Sequence, residues 1–379
     1  METEIETEIA AMNGASLAAH LGGRVLLCRT LKNTRPASGA ANEAPAASPC
    51  LAGINPLWLH AMSPILRIGS RASRLALVQT NWVAERLRAD HPGQDIRIEE
   101  FRTEGDRDRA TPLAHLRGTG FFVKELEVAL LGGRIDLAVH SMKDVPTRPA
   151  EGLQVEAAVP ERADPRDCLV TTQGLSPAEL PRGALVGSSS PRRRAMLLAA
   201  RPDLAFVDLR GNVETRLKKL EAGVCQATIL ARAGLGRLGM FDRRMVALDP
   251  SILLPAAGQG ALGLEFRDAD DAVRGLVGSL DHAASRAAVV AERALCRRLQ
   301  AGCSTPLGVL GRVAPDGTLT LEACLVAADG RRMLRRGASG PVAQAVEIGT
   351  RLADTMLADG AAKLLAPLDE VAAEDGAAE

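Results

Sequence analysis

Basic and hydroxyl side chains gather in this chain just after several of its predicted strands. These clusters comprise Arg71, Ser73, Lys143, Ser188, Ser190, Arg192, Arg193, Arg210, Arg216 and Arg237. In parallel α/β sheets, ligands bind beyond the carboxyl ends of the strands. Arginine binds carboxylate and phosphate groups through two parallel hydrogen bonds. The placement therefore predicts a cleft for a ligand with several anionic groups, although any single arginine also fits a solvated helix face.

The local charge supports the same prediction. Eleven basic and four acidic residues lie between Arg182 and Arg237, a net charge of +7 (11 − 4), in a chain with 46 basic and 46 acidic residues. Ser190 before Pro191 has the pattern of a helix N-cap followed by proline in the first turn. A helix that begins there offers free backbone N–H groups to an anion.

Two further residues carry reactive groups. Asp144 follows Lys143 just after an apolar strand, where a carboxylate can stabilise a cation or an N–H group and transfer a proton. Cys303 lies between Gly302 and Ser304 in a predicted turn, where a thiol can act as a nucleophile or a covalent tether. The alternatives are an ordinary ion pair between Lys143 and Asp144 and a purely structural cysteine.

Strands and helices alternate from residue 65 to residue 266, which is typical of α/β proteins with parallel sheets. Two such units meet near residues 160–165, and Cys303 opens a third. We therefore expect two α/β lobes around a cleft and a smaller C-terminal α+β domain. The expected boundaries are 63–161 with 260–279 for the first lobe, 162–259 for the second and 280–368 for the C-terminal domain.

The two ends of the chain differ from the rest. Residues 1–62 contain runs of Ala, Ser and Pro and no long amphipathic period, which leaves two interpretations open: a disordered extension, or a true start at Met62. The acidic beginning does not resemble a secretory or organelle-targeting segment. Residues 369–379 carry five acids and no base, so we expect a solvated tail.

Composition argues against several classes of protein. The net charge is zero, tyrosine is absent and aromatic residues make up 2% of the chain, which disfavours nucleic-acid binding by base stacking. No apolar stretch is long enough to span a membrane. Seven scattered cysteines predict free thiols in a reducing cytoplasm, and no spacing typical of a metal site occurs.

Six segments form long and specific motifs. They are Leu66–Ser73, Phe122–Glu127, Ala138–Pro146, Leu209–Val213, Pro255–Ala261 and Ala291–Arg293. In this order they resemble the porphobilinogen deaminase (hydroxymethylbilane synthase) family, and the likeness extends from about Leu66 to near the C-terminus.

The resemblance implies an enzyme that joins four porphobilinogen molecules head to tail, releases ammonia each time and hydrolyses off the linear tetrapyrrole hydroxymethylbilane. It implies a dipyrromethane primer held by a thioether on Cys303, with Asp144 as the catalytic group. The residues implied to hold the cofactor are Lys143, Ser188, Ser190, Arg192, Arg193 and Arg210, and those implied to bind substrate are Arg71, Ser73, Arg216, Arg237 and Gln259. Each pyrrole carries two carboxylates, so an arginine-lined cleft suits such a ligand.

The chain departs from the family pattern at three places, one of which, the residues that follow Cys303, is expected to have little consequence. Thr119 lies between Gly118 and Gly120 where many members have lysine, so a lysine role is not carried over, and Arg117 or His115 are candidates to replace it. Proline at position 191 replaces the usual leucine and is expected to keep the helix start.

Two other functions remain as alternatives. A pair of lobes like those of periplasmic binding proteins also suits a non-catalytic receptor for a polyanion, although no secretory signal precedes the lobes and a third unit carries a loop cysteine. The basic stretch Arg192–Lys219 suits nucleic acid but lacks aromatic residues. We therefore expect a monomeric cytoplasmic transferase whose partner is a small substrate rather than nucleic acid or a membrane.

Overall fold

The computed structural model describes residues 17–21, 24–28, 65–102, 123–302 and 304–365. The chain divides into two units, Met1–Pro56 and Leu57–Glu379. In the first unit, strand β1 (Leu17–Leu21) pairs antiparallel with β2 (Arg24–Cys28). This hairpin lies in the segment for which we expected disorder or a later start. The other residues of that segment and the expected tail at 369–379 lie outside the described residues.

The second unit continues the alternation of strands and helices. In chain order it has β3 (Leu66–Arg71), α1 (Arg74–Asp90), β4 (Ile96–Phe101), α2 (Lys124–Leu131), β5 (Leu137–Ser141), β6 (Leu153–Gln154), β7 (Asp167–Thr171), β8 (Leu185–Gly187), α3 (Pro191–Ala200), β9 (Ala205–Val207), α4 (Val213–Glu221), β10 (Ala227–Ala231), α5 (Arg232–Arg237), β11 (Met245–Ala247), β12 (Leu262–Arg267), α6 (Asp271–Gly278), α7 (Ala283–Leu299), β13 (Leu307–Val313), β14 (Thr318–Val326), β15 (Met333–Pro341), α8 (Ala345–Ala358) and α9 (Ala361–Leu365).

Lobe 1 is a five-stranded sheet in the order β4-β3-β5-β12-β6, with α1, α2 and α6. Strand β3 pairs parallel with β4 and β5, whereas β12 runs antiparallel to β5 and β6. Helix α1 packs against the sheet because its buried residues, among them Thr80, Val83, Ala84 and Leu87, recur with the helical period. The carboxyl ends of β3 and β5 therefore meet at one edge.

Lobe 2 is a second five-stranded sheet in the order β11-β7-β10-β8-β9. Strand β8 pairs parallel with β9 and β10, and β7 runs antiparallel to β10 and β11. Its core includes Leu169, Val186, Leu197 and Ile229. As in lobe 1, the parallel strands end where α3 and α4 begin, which brings the basic residues of those helix starts to one edge of the sheet.

The expectation of parallel sheets is correct only in part. Strands β7 and β12 are antiparallel because each is the first strand that the chain forms after crossing from the other lobe. The strand expected from Leu153 to Val159 ends at Gln154, because the chain leaves the lobe 1 sheet there to cross to lobe 2. Val155 and Val159 remain buried, but the Val159 N–H donates to Asp281 Oδ1 (3.0 Å) instead of to a neighbouring strand.

The C-terminal domain consists of the antiparallel sheet β13-β14-β15 packed against α7 and α8. Leu295, Val309, Leu321 and Ile348 are among the buried residues at this interface. Other residues of the sheet, including Cys324, join the core of lobe 2. The domain is thus packed directly on the lobe that carries the arginine clusters.

The chain crosses between the lobes twice, near residues 160–165 and near residues 255–260, and we call these two segments the first and second crossing. One buried carboxylate on α7 holds both of them. Glu292 accepts hydrogen bonds from Arg162 Nη1 (2.6 Å) on the first crossing and from the Gly258 N–H (2.7 Å) on the second. It also accepts from the Gly311 N–H (2.8 Å) on β13. Glu292 therefore binds both crossings and the C-terminal sheet at once.

Two further predictions concern the cysteines and membrane-spanning helices. Cys168, Cys225, Cys296 and Cys324 are all buried, which confirms their packing role. Within the described ranges no helix is both long enough and apolar enough to cross a bilayer.

Candidate active site

Asp144 ends a short 3-10 turn that follows β5 directly. The preceding Met142 is fully buried and anchors the turn beside β12, while Asp144 itself is partly exposed. Arg71 and Ser73 line the same pocket as Asp144. Three predicted site residues therefore meet where β3 and β5 end, as expected for strand-end ligand sites.

Ser73 has a structural task as well as a place in the pocket. It is the N-cap of α1, and its Oγ accepts a hydrogen bond from the Ala76 N–H (3.3 Å). One turn further along α1, the Gln79 Oε1 atom accepts from Ser141 Oγ (3.1 Å) and from Arg237 Nη1 (2.8 Å). Arg237 belongs to lobe 2, so this contact links the two lobes across the pocket. No motif in the sequence marks Gln79 as a site residue.

The segment after Asp144 is held by α7. Arg293, which is buried, donates to the carbonyl oxygens of Val145 (3.1 Å) and Pro146 (2.7 Å) and to Glu156 Oε1 (2.6 Å). Arg297, one turn later, donates to the carbonyl oxygen of Thr147 (3.2 Å). Arg293 lies in one of the sequence motifs, but no role was assigned to it there.

Lys143 forms its described hydrogen bond with Gln259 and not with its sequence neighbour Asp144. Its Nζ donates to Gln259 Oε1 (3.2 Å), so the alternative of a simple Lys143–Asp144 ion pair is not observed. The pKa of Lys143 is lowered from 10.5 to about 8, mainly by burial. The charge of Asp144 opposes this shift, and the charge of Arg193 adds to it. The Lys143 ammonium group therefore loses its proton close to neutral pH, and it lies near the positive charges of Arg192 and Arg193.

Arg192 and Arg193 are both buried at the start of α3. Arg193 donates through Nε (3.1 Å) and Nη2 (2.7 Å) to Asp167 Oδ1, and Arg192 Nη2 lies 2.8 Å from Asp167 Oδ2. Each guanidinium also donates to a backbone carbonyl, that of Leu254 for Arg192 and that of Ile229 for Arg193. Both arginines were predicted as cofactor ligands, and the structure shows that part of their donor capacity serves the protein itself.

Asp167 was not predicted as a site residue, and no motif in the surrounding sequence marks it as one. Its side chain is fully buried at the first position of β7. Burial alone would raise its pKa, but the charges of Arg192, Arg193 and Lys143 hold the pKa well below its usual range. The carboxylate is therefore ionised under all ordinary conditions.

Three consecutive serines precede α3. Ser190 is the N-cap, and its Oγ accepts from the Arg193 N–H (3.5 Å), which confirms the predicted helix start at Pro191. Ser188 is buried, and its Oγ accepts from the Ser190 N–H (3.3 Å). The Oγ atom of Ser189 is buried with no hydrogen-bond partner among the described residues.

Three predicted arginines form no ion pair with any described carboxylate: Arg210, Arg216 and Arg237. The Nη2 atom of Arg210 is buried without a hydrogen-bond partner among the described atoms. Arg216 donates only to the Gly211 carbonyl oxygen (2.8 Å) in the described part of the chain. Burial lowers the pKa of Arg216 and of Arg237 to about 10, and Arg193 lowers that of Arg216 further.

Gln259 lies between two glycines that shape the second crossing. Gly258 and Gly260 have φ angles of +69° and +89°, which favour glycine. A Cβ on Gly258 would lie 2.6 Å from Met142 Cγ, so the crossing passes closely against the turn of Asp144. This approach places the buried Gln259 side chain between Lys143 and Asp167. Its Nε2 donates to Asp167 Oδ1 (3.0 Å).

Some predicted residues lie outside the described part of the chain. Cys303 is one, although its neighbours Gly302 and Ser304 are described. His115, Arg117 and Thr119 are the others. Among the described thiols, burial raises the pKa of Cys168 to about 12 and that of Cys324 to about 11. Such thiols are poor nucleophiles.

Comparison with known proteins agrees with this geometry. A family profile described as "Porphobilinogen deaminase, dipyromethane cofactor binding domain" matches residues 66–275, and one described as "Porphobilinogen deaminase, C-terminal domain" matches residues 286–358. The periplasmic aliphatic sulphonate binding protein SsuA from Escherichia coli is 18% identical with a TM-score of 0.35, covering 63% of this chain and 71% of that one. That structural similarity is too low to indicate a function.

Curated relatives carry the same family name. The porphobilinogen deaminase of Syntrophotalea carbinolica is 49% identical over 307 residues, which cover 81% of this chain and 97% of that protein. The porphobilinogen deaminase of Geobacter sulfurreducens is 48% identical over 301 residues, covering 79% and 94%. The profile that describes a dipyrromethane-binding domain spans both lobes and the Asp144 pocket. By these matches and by its site, the chain belongs to the porphobilinogen deaminase family, the hydroxymethylbilane synthases.

Proposed function

We propose that this enzyme joins four porphobilinogen molecules one at a time on a dipyrromethane attached to Cys303, and then releases hydroxymethylbilane by hydrolysis. Each addition releases one ammonia. The observation that carries the proposal is the combination of a partly exposed carboxylate, Asp144, with Arg216 and Arg237, two nearby arginines that have no carboxylate partner among the described residues. A growing chain of pyrroles, each with two carboxylates, is a ligand that would pair with such arginines.

The described residues fit a dipyrromethane, which has four carboxylate groups. The unpaired buried atoms Ser189 Oγ and Arg210 Nη2 are donors that a carboxylate would satisfy. Arg193 uses three of its five N–H groups on Asp167 and Ile229, so it retains donors for a ligand. We expect the group to be held by Lys143, Ser188, Ser190, Arg192, Arg193 and Arg210. When bound, it supplies the free ring carbon to which the first substrate is joined.

Asp144 would act on the substrate. When ammonia departs from the aminomethyl group of porphobilinogen, positive charge develops on the pyrrole ring and its N–H. Asp144 is the carboxylate that lines the pocket with Arg71 and Ser73, so it can stabilise this charge. After the new carbon–carbon bond forms, the attacked ring carbon must lose its proton, and the same carboxylate can accept it.

Arg71, Ser73, Arg216, Arg237 and Gln259 are the proposed substrate-binding residues. Arg71 and Ser73 approach from lobe 1, whereas Arg216 and Arg237 approach from lobe 2. The substrate carboxylates would therefore be bound from both sides of the pocket. This arrangement fixes the aminomethyl group relative to Asp144 and contributes orientation to catalysis. The monomeric state and the cytoplasmic location stay predictions.

Intact-protein mass spectrometry with limiting porphobilinogen tests the proposed function. We expect the protein mass to rise in equal steps, each one porphobilinogen minus one ammonia, and never beyond four steps. Ammonia should appear in a 1:1 ratio to the porphobilinogen consumed. A protein that consumes porphobilinogen with no change of mass, or that binds it without releasing ammonia, would refute the proposal.

A further inference from the structure

We propose that Asp167 is a positioning residue of the cleft, whose buried carboxylate holds Arg192 and Arg193 and, through Gln259, couples them to Lys143. This inference rests on the proposed function for its consequence in catalysis. Asp167 does not act on a ligand directly, because its side chain is fully buried at the start of β7.

Asp167 lies between two arginines. Its Oδ1 accepts from Arg193 Nη2 (2.7 Å) and Nε (3.1 Å), and its Oδ2 lies 2.8 Å from Arg192 Nη2. Neighbouring arginines on one helix repel each other in a buried site. A single carboxylate between them offsets this repulsion, and its two hydrogen bonds fix the guanidinium plane of Arg193. Arg192 is held by its ion pair with Asp167 and by the carbonyl oxygen of Leu254, so the N–H groups that remain on both arginines have a defined direction.

Gln259 connects Asp167 to the other lobe. Gln259 Nε2 donates to Asp167 Oδ1 (3.0 Å) and to the Pro165 carbonyl oxygen (2.7 Å), while its Oε1 accepts from Lys143 Nζ (3.2 Å). Only this orientation of the amide satisfies all three partners, because the opposite one would place an NH₂ group against the lysine ammonium. Asp167 on lobe 2 and Lys143 on lobe 1 are therefore linked through one buried side chain.

The charge balance at Lys143 depends on Asp167. The charged groups that face it are Asp144 on its own turn, Arg192 and Arg193 on α3 and Asp167 on β7. Burial and the two arginines lower its pKa to about 8, and the two carboxylates oppose them. Removing the charge of Asp167 would therefore lower this pKa further and deprotonate a large fraction of Lys143 at neutral pH, which weakens a cation that we expect to bind the cofactor.

The test is a titration of Lys143 by NMR in the native enzyme and in Asp167→Asn. The chain has six lysines, at positions 32, 124, 143, 218, 219 and 363, so ¹³Cε-labelled lysine gives a spectrum that Lys143→Arg can assign. We expect Asp167→Asn to lower the pKa of Lys143 by about one unit, the smaller end of the range for a nearby opposite charge. The alkaline limb of kcat/KM should move to lower pH by the same amount.

The matched control is Asp164→Asn. Asp164 also bridges two arginines, Arg166 (2.7 Å) and Arg232 (2.6 Å), but none of these three residues is among the charges that shift the pKa of Lys143. This variant should leave the titration of Lys143 unchanged. A folded Asp167→Asn enzyme with the native Lys143 titration, or an equal shift in Asp164→Asn, would overturn the assignment.

Two more variants decide the matter if Asp167→Asn does not fold. Arg193→Gln should raise the pKa of Lys143, since Arg193 lowers it. The double variant Asp167→Asn/Arg193→Gln removes one negative and one positive charge that act on Lys143, so its Lys143 pKa should lie near the native value; Arg192 loses its counter-ion in it, so its stability does not bear on the proposal. No rise of the Lys143 pKa in Arg193→Gln would refute the proposal, as would a folded double variant whose Lys143 pKa is as low as that of Asp167→Asn. If the native enzyme consumes no porphobilinogen, the proposed function fails, whereas the titration still decides the role of Asp167.

Discussion

Arg293 Nη2 donates a hydrogen bond to the carbonyl oxygen of Pro146 across 2.7 Å, so the helix that leads toward Cys303 also holds the segment after Asp144. Helix α7 ends at Leu299, and Glu292, next to Arg293, holds both crossings between the lobes. One helix therefore contacts the proposed catalytic turn, both crossings and the start of the proposed cofactor loop. Helix α7 therefore connects the segment after Asp144 to Gly302, the residue before Cys303.

Asp144→Asn should remove most turnover without unfolding the protein. Asp144 is partly exposed and lines the pocket, so the amide keeps the shape but loses the charge and the proton acceptor. We expect kcat to fall at least about 100-fold, the usual range for a lost acid–base group. Steady-state kinetics and thermal unfolding measure the two effects. Asp208→Asn, at an exposed carboxylate, is the control, and native-like turnover in Asp144→Asn would contradict its assigned role.

Arg216→Gln should weaken substrate binding more than it changes stability. Its described hydrogen bond goes to a backbone carbonyl, and burial already disfavours its charge, with a pKa lowered to about 10. Loss of a charged hydrogen bond to a substrate carboxylate costs about 1.5–3 kcal/mol, so KM should rise by about 10- to 100-fold. Arg194→Gln is the control from the same basic stretch, since Arg194 pairs at the surface with Asp208. Equal KM values for both variants would contradict the assignment.

Lys143→Met should make the protein more stable at pH 7 and less active. Below pH 8 Lys143 is protonated in both the folded and the unfolded state, so the folded chain bears the full cost of the buried charge. Between pH 8 and 10.5 the folded state loses this proton first, and native stability rises with pH. Urea unfolding should therefore show a gap between variant and native enzyme at pH 7 that narrows by pH 10. Lys124→Met, at an exposed position, should show no such pH dependence.

Glu292→Gln should lower the free energy of unfolding by about 3–5 kcal/mol, the usual cost of breaking a buried ion pair. Arg162 then keeps a buried charge without its carboxylate, and both crossings lose an anchor. Glu322→Gln, which disturbs a half-exposed pair with Arg335, should cost less than about 1 kcal/mol. Similar unfolding free energies for the two variants would show that Glu292 does not join the lobes.

Much of the site could be predicted because strand ends in α/β sheets mark ligand sites. Arg71, Ser73 and Asp144 meet in one pocket because β3 and β5 are parallel neighbours. The burial of Arg193 could not be predicted, because its counter-ion Asp167 lies 26 residues earlier in the chain. Nothing in the sequence around Asp167 distinguishes an internal partner from an ordinary residue at a strand start.

The crossings between the lobes were the least predictable part of the fold. The apolar residues from Val155 to Val159 have the composition of a strand, yet the chain leaves the sheet there. Their burial comes from packing between the lobe core and α7, which local periodicity does not record. The antiparallel direction of β7 and β12 follows from these crossings, and it too was not visible in the pattern of the sequence.

Mass spectrometry of the tryptic peptide from Leu299 to Arg312 tests the central claim most directly. This peptide contains Cys303 as its single cysteine. In active native enzyme it should carry the mass of a dipyrromethane, and the protein should give the dipyrromethane colour with acidic dimethylaminobenzaldehyde. The Cys303→Ala protein should show neither signal and no turnover. An unmodified peptide from an enzyme that converts porphobilinogen at full rate would contradict the account.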